Sequence, residues 1–276
     1  MDIRGWVRTS LIDYPERIAT VLFTGGCNFR CPPCHNAPLV LHPDEQPAVP
    51  EAEVWSFLSR RAGRVDGVVL TGGEPTLQAD LLPFLRSLRA QGLAVKLDTN
   101  GYRPDVLAAA LAEGLLDYVA MDVKAPPEKY ALLAGRPDVE VGPVERSIAL
   151  LQGSGIACEF RTTVVPGLLD EADIEALVRW LAGLLHRGDA ESAEMLPGRE
   201  RRGAGGPSGS RRVALTPSTA AVPAEGRGRG VLYVLQQFRP VGTLDPALEK
   251  VAPYPLERLQ EMAKRARRWV ERVGVR

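Results

Sequence analysis

The sequence predicts an α/β protein built on a parallel sheet, and three observations carry that expectation. Six β-branched apolar runs recur along the chain, helical patterns fill the gaps between them, and polar residues gather where the runs end. Near-continuous apolar runs suit parallel strands buried on both faces, and strand–helix alternation implies right-handed βαβ crossovers.

Taken in order, RIATVLFTGGC is the first run and VDGVVLTGGEP the second, both closing on paired glycines. LAVKLDTNG, LDYVAMDVK, IACEFRTTVVPG and GVLYVLQQFRP are the third to sixth. The helical patterns between them are EAEVWSFLSRRAG, ADLLPFLRSLRAQG, PDVLAAALAEG, PVERSIALLQGSG and EADIEALVRWLAGLL. Several begin with proline or an acid and four of the five end at glycine, as helix punctuation requires. The tail PLERLQEMAKRARRWVERVG reads as a sixth, amphipathic helix with a solvated basic face.

Residues 187–230 break the rhythm, with nine glycines and four prolines in 44 positions and no apolar periodicity. That composition predicts a low-complexity, disordered insertion before the sixth strand. Its eight arginines suit an exposed loop better than a binding patch. The rest forms a single domain over 1–276.

Composition narrows the function classes. The 276 residues are 45% apolar and 25% charged with a formal net charge of zero, so no global field draws the chain to nucleic acid or an anionic membrane. The start MDIRGWVRTSLIDYP lacks the apolar core of a secretion signal, and no apolar run approaches the roughly 18 residues of a membrane span. Four cysteines, three of them clustered, argue for a metal or redox role in a reducing, cytoplasmic setting rather than a disulfide framework.

That cluster is Cys27, Cys31 and Cys34, at the end of the first expected strand. Gly72-Gly73-Glu74-Pro75 ends the second, Asp98-Thr99-Asn100 the third, Asp122 and Lys124 the fourth, Arg161 and Val165-Pro166-Gly167 the fifth, and Gln236, Gln237 and Arg239 the sixth. In parallel α/β folds ligands bind at that edge. Zinc patterns pair C-x2-C with a second ligand pair, which is missing here; His35 and His42 lack convincing ligand spacing. C-x3-C-x2-C can instead hold three irons of a [4Fe–4S] cubane and leave the fourth open to a non-protein ligand. Cys158, inside an apolar run, reads as a buried small hydrophobe, and His186 is given no role.

With C-x3-C-x2-C after the first strand and GGEP after the second, the chain resembles the radical SAM superfamily. TSLIDYPERIATVLFTGGCNFRCPPCHN, LTGGEPTLQ, KLDTNG, MDVKAP, RTTVVPG and YVLQQFRP are similar to the activating proteins of anaerobic ribonucleoside-triphosphate reductase. The resemblance implies a partial (β/α)6 barrel and a [4Fe–4S] cluster on Cys27, Cys31 and Cys34. It implies that the amine and carboxylate of S-adenosylmethionine (SAM) fill the open iron, and that reductive cleavage gives a 5′-deoxyadenosyl radical. The Gly72–Glu74 backbone would then bind the methionyl amine, with Asp98 and Asn100 near the amine and carboxylate. Lys124 would meet the carboxylate, Asp122 the ribose, Val165-Pro166-Gly167 the adenine border, and Gln236 the adenine. The implied partners are a glycyl-radical enzyme as protein substrate and an electron donor such as flavodoxin or ferredoxin. One departure is Pro33, where the resembled family has an aromatic or large residue. A radical SAM enzyme acting on a small molecule, such as a carboxydeazaguanine synthase, and a non-enzymatic iron–sulfur or zinc protein stay open as alternatives.

Overall fold

The computed structural model describes residues 1–191 and 231–276, so the candidate insertion lies outside the described residues from position 192 onward. Its first five residues prolong a helix, Glu171–Glu191, instead of starting a loop.

One open sheet of eight strands runs in chain order: β1 (Ile3–Ser10), β2 (Ala19–Thr24), β3 (Gly67–Gly72), β4 (Ala94–Thr99), β5 (Tyr118–Asp122), β6 (Ala157–Val164), β7 (Leu232–Gln237) and β8 (Arg272–Val275). From β2 to β8 every pairing is parallel, and only β1 lies antiparallel, on β2. The six expected strands are β2 to β7. The outer two went unread: β1 is a half-exposed edge, and β8 has only four residues behind a helical pattern. The tail is therefore not one helix to residue 274. Its helix stops at Ala266, and buried Val273 belongs to a strand paired with β7.

The helices are α1 (Ala37–Leu41), α2 (Glu51–Arg60), α3 (Leu81–Ala90), α4 (Pro104–Ala112), α5 (Pro127–Ala134), α6 (Gly142–Ser154), α7 (Glu171–Glu191) and α8 (Leu256–Ala266). Side chains alternate across the sheet, as strand geometry demands. Leu22, Leu70, Leu97, Val119, Phe160 and Leu235 pack outward with Leu58, Leu85, Ile148, Leu177 and Leu259 of the helices. The other face looks into the half-barrel. Its floor is a smaller apolar cluster of Val21, Val69, Ala94, Tyr118 and Ala120, closed by Tyr14 from the β1–β2 connection. Above that floor the inward positions turn polar, and the cavity begins.

Candidate functional site

At the C-terminal ends of the strands lies a cavity of about 530 Å³. Its wall holds Cys27, Cys31 and Cys34, then Gly72, Gly73 and Glu74, then Asp98 and Asn100, then Asp122 and Lys124, and finally Gln236. The expected site residues thus come together, Val165 excepted. β6 places Thr163 inward, whereas Val165 lies beyond the strand end, fully buried against Phe238 and Leu248. The Val165 side chain therefore does not line this cavity.

The cysteine loop is docked by its backbone on two sides. On one, Glu74 N donates to Gly26 O at 2.8 Å and Gly73 N to Thr24 O at 2.9 Å. A Cβ on Gly73 would sit 1.9 Å from Gly26 O, so only glycine permits this approach. On the other, Arg30 N donates to Ala134 O at 2.8 Å, at the C-terminus of α5. There Gly135, at φ +66°, would place a Cβ 1.9 Å from Arg30 O. Side chains finish the fixation: Asn36 Nδ2 donates to Gly72 O at 2.8 Å and Asn100 Nδ2 to Asn28 Oδ1 at 2.7 Å.

Glu74 is a buried fastener. Its Oε1 accepts from Thr76 N (3.1 Å), Thr76 Oγ1 (2.6 Å) and Thr99 Oγ1 (2.7 Å), and its Oε2 from Asn100 N at 2.7 Å. Burial outweighs those donors and holds its pKa above the usual carboxylate range. The Gly-Gly-Glu turn is therefore locked to the end of β4.

The opposite wall is ionic. Arg161 Nε donates to Asp122 Oδ1 at 2.7 Å and its Nη1 to Asp98 Oδ2 at 3.2 Å, while Lys124 Nζ reaches Asp122 Oδ2 at 2.9 Å. Lys96 closes on Asp98, and Arg276 reaches buried Glu159 at 3.1 Å. Burial alone would raise the pKa of Asp122, but Arg161 and Lys124 overcome it and keep the carboxyl well below its usual range. Burial likewise opposes the charge on Lys124, and Asp122 with Cys31 holds its pKa up. The pair is half-buried inside the cavity rather than an ion pair of the outer surface.

All four cysteines are free thiols. Burial, then Glu74, pushes Cys27 up to about 12, and burial pushes Cys31 up to about 11. Ionised sulfurs in this place need a strong positive partner, which bound iron supplies. Among the described residues no three His, Cys, Asp or Glu side chains converge on a site for one ion. Three thiols on one loop lining one cavity suit a multi-iron cluster. His35 is otherwise engaged: its ring stacks on Phe238 and its Nε2 donates to Arg239 O at 2.7 Å.

Sequence reasoning missed Asn28, Asn36, Lys96 and Arg276. Asn36 stood beside the cysteine motif and Lys96 inside a strand pattern, so position alone gave a hint; their partners are far along the chain.

A profile of the radical SAM superfamily matches residues 21–181. A protein of Methanocaldococcus jannaschii, provisionally named a glycyl-radical enzyme activating enzyme, is 30% identical over 99% of this chain and 95% of its own length. A 7-carboxy-7-deazaguanine synthase of Rhodospirillum rubrum is 42% identical over 82 residues, 28% of this chain and 32% of its own. The solved structure of QueE from Escherichia coli shares the fold, with TM-score 0.52 and 16% identity over 100% of this chain and 93% of its own.

Proposed function

The chain belongs to the radical SAM superfamily, and from that premise we propose that it activates a glycyl-radical enzyme, with anaerobic ribonucleoside-triphosphate reductase as its target. The observation that carries this reading is the similarity, from end to end of both chains, to the Methanocaldococcus protein. The cysteine inventory supports it: Cys158 is the one cysteine outside the motif, too few to hold an auxiliary cluster.

In this reading Cys27, Cys31 and Cys34 would hold a [4Fe–4S] cluster, and SAM would bind beside it in the cavity. Bound there, cluster and SAM together supply one-electron cleavage of the sulfonium; orientation and protection are the protein's task. The Gly72–Glu74 turn presents main chain to the methionyl amine, held rigid by the buried Glu74 carboxyl. Asp98 and Asn100 border that end. Lys124 faces the methionyl carboxylate and Asp122 the ribose; Arg161 keeps that acid ionised and aimed, and the acid in turn holds Lys124. Gln236 takes the adenine side, with Thr163 in the place expected of Val165.

The test is anaerobic reconstitution with SAM, a reductant and the candidate reductase, followed by electron paramagnetic resonance. A glycyl doublet on the reductase is expected. Alanine at Cys27, Cys31 or Cys34 should abolish both cluster absorbance and SAM cleavage. The Rhodospirillum match favours a second reading, action on a small purine-like substrate. SAM cleavage with turnover of such a substrate and no partner radical would establish it instead.

A further inference from the structure

The first cysteine of the motif stands on a stretch whose three successive carbonyls are all taken by guanidinium groups. Arg30 Nη1 donates to Cys27 O at 2.7 Å and to Phe29 O at 2.8 Å. Between them, Arg136 Nη1 donates to Asn28 O at 2.9 Å. Neither arginine lines the cavity; both reach the loop beside the C-terminal end of α5, where Arg30 N also donates to Ala134 O at 2.8 Å.

What the middle contact fixes follows from the planar trans peptide. The carbonyl of Asn28 and the amide of Phe29 share one plane and point in opposite directions. Arg136 holds the oxygen on one side, and on the other Phe29 N donates to Cys27 Sγ at 3.4 Å. That plane is pinned at both ends. The next plane is pinned too, with Phe29 O on Arg30 Nη1 and Arg30 N on Ala134 O. Side chains lock the same stretch: Asn28 Oδ1 accepts from Asn100 Nδ2 at 2.7 Å, and the buried Phe29 ring lies 5.2 Å, centroid to centroid, from that of Tyr102.

Arg136 brings its own counter-charge. Its Nε donates to Asp138 Oδ1 at 3.0 Å and its Nη2 to Asp138 Oδ2. The pair is close to neutral from a distance, so its influence on the cysteine runs through the peptide. A carbonyl polarised by a guanidinium makes the amide of the same peptide a stronger donor. An amide aimed at a ligating sulfur stabilises added negative charge on a cluster, and such hydrogen bonds are among the levers that set its potential.

We propose that Arg136 is a positioning residue for the cluster: it holds the Asn28–Phe29 peptide so that the amide stays on the Cys27 sulfur and raises the reduction potential, while Arg30 braces the peptides on either side. The proposal rests on the cluster reading above and is independent of the partner enzyme. It gives a residue outside the cavity a part in how readily the cluster takes up its electron.

The test uses the full chain with its cluster reconstituted anaerobically. In wild type the iron–thiolate bands of the resonance Raman spectrum should shift in heavy water, and a redox titration followed by electron paramagnetic resonance sets the reference potential. Arg136→Met should keep its iron, lose part of the heavy-water shift and reduce less readily. At a fixed potential its ratio of reduced to oxidised cluster should fall about 2- to 10-fold, the range of one hydrogen bond. Arg136→Lys should recover part of both readings. The double variant Arg136→Met/Asp138→Asn, which restores the net charge, should stay as hard to reduce as Arg136→Met. A return of the double variant to the wild-type potential would overturn the proposal, because charge alone would then be acting. So would an unchanged potential or heavy-water shift in Arg136→Met. If Arg136→Met takes up no iron, Arg136→Lys decides by the same two readings; iron lost from both would overturn the proposal, since the arginine would then build the loop rather than tune it. A wild type that takes up no cluster removes the cluster reading and this inference together. A loaded wild type without any heavy-water shift removes this inference alone.

Discussion

Around the cysteine loop the cavity wall is held by main-chain groups in close approach, whereas from β4 to β8 it is held by ion pairs. The first side depends on shape: glycines at 73 and 135 let the cysteine loop touch its supports, and one buried carboxyl ties the turns together. The second depends on charge: Arg161 bridges two acids that would otherwise repel each other across the half-barrel. The difference shows which features of a site can be read along a chain and how each side should fail.

The largest effect is expected on the shape side. In Gly73→Ala the new Cβ meets a carbonyl 1.9 Å away, and backbone rather than a flexible side chain must move. Destabilisation of about 3 kcal/mol or more is expected, with iron incorporation falling to a minor fraction. Gly92→Ala is the control, since it carries an unfavourable φ of +75°, which Gly73 lacks, but has open space around its Cβ. It should cost about 1–2 kcal/mol and keep its iron. Equal iron content in both variants would mean that close approach is not what seats the cysteine loop.

Next comes Arg161→Met, on the charge side. Removing one partner of a buried pair typically costs about 3–5 kcal/mol; with Lys96 and Lys124 still beside the acids, the lower end is expected here. Iron content should survive, because no cysteine contact depends on Arg161, while SAM affinity should fall as Asp122 loses its aim. Calorimetric titration with SAM and denaturant melts separate the two outcomes. A variant that loses iron but keeps stability would reverse the assignment of the two walls.

The same contrast explains what the sequence made legible. A glycine pair after an apolar run and three cysteines on one loop are local patterns, so β2, β3 and the mouth they form were readable. Ion-pair partners are not local: Lys96 sits inside a stretch that reads simply as a strand, Arg161 reads as a strand-end cation with no partner in sight, and nothing in KLDTNG says that its aspartate faces RTTVVPG. Short or half-exposed elements also escaped. β8 is only four residues long, and the eight-residue α5 opens behind two prolines with weak periodicity, although its C-terminus supports the cysteine loop. The Val165 side chain leaves the cavity wall because RTTVVPG alternates inward and outward only as far as Val164, where β6 ends.

Glu74→Gln should have a smaller effect and a telling pH dependence. The amide nitrogen must face a donor, Asn100 N or the Thr76–Thr99 group, at a cost of about 1–3 kcal/mol. Because burial raises the folded-state pKa of Glu74, the stability it contributes is complete below its unfolded value near 4.5 and is lost as pH rises through the raised value. The gap between wild type and Glu74→Gln should therefore be widest near pH 4 and narrow toward neutrality in urea melts. A gap that widens with pH would show that the four donors outweigh burial.

The smallest effect is expected at the fourth thiol, and it sharpens the comparison most directly. Cys158 is the second residue of β6, at the strand end away from the cavity, paired with Val119 of β5 and packed against the main core. Burial pushes its thiol up to about 11, so without a metal it stays protonated at neutral pH. Its sulfur serves as a small apolar group, and Cys158→Ala should cost roughly 0.5–1.5 kcal/mol, as for loss of one methyl-sized group from a core. The variant should keep about four irons per chain, the content of a cubane on three thiolates, together with the wild-type cluster absorbance. Cys27 and Cys31 have raised thiol pKa values as well, so an elevated pKa does not tell ligand from filler; position at a strand end, facing the cavity, does. Loss of iron in Cys158→Ala would break that rule, since a thiol buried in the sheet would then reach the cluster.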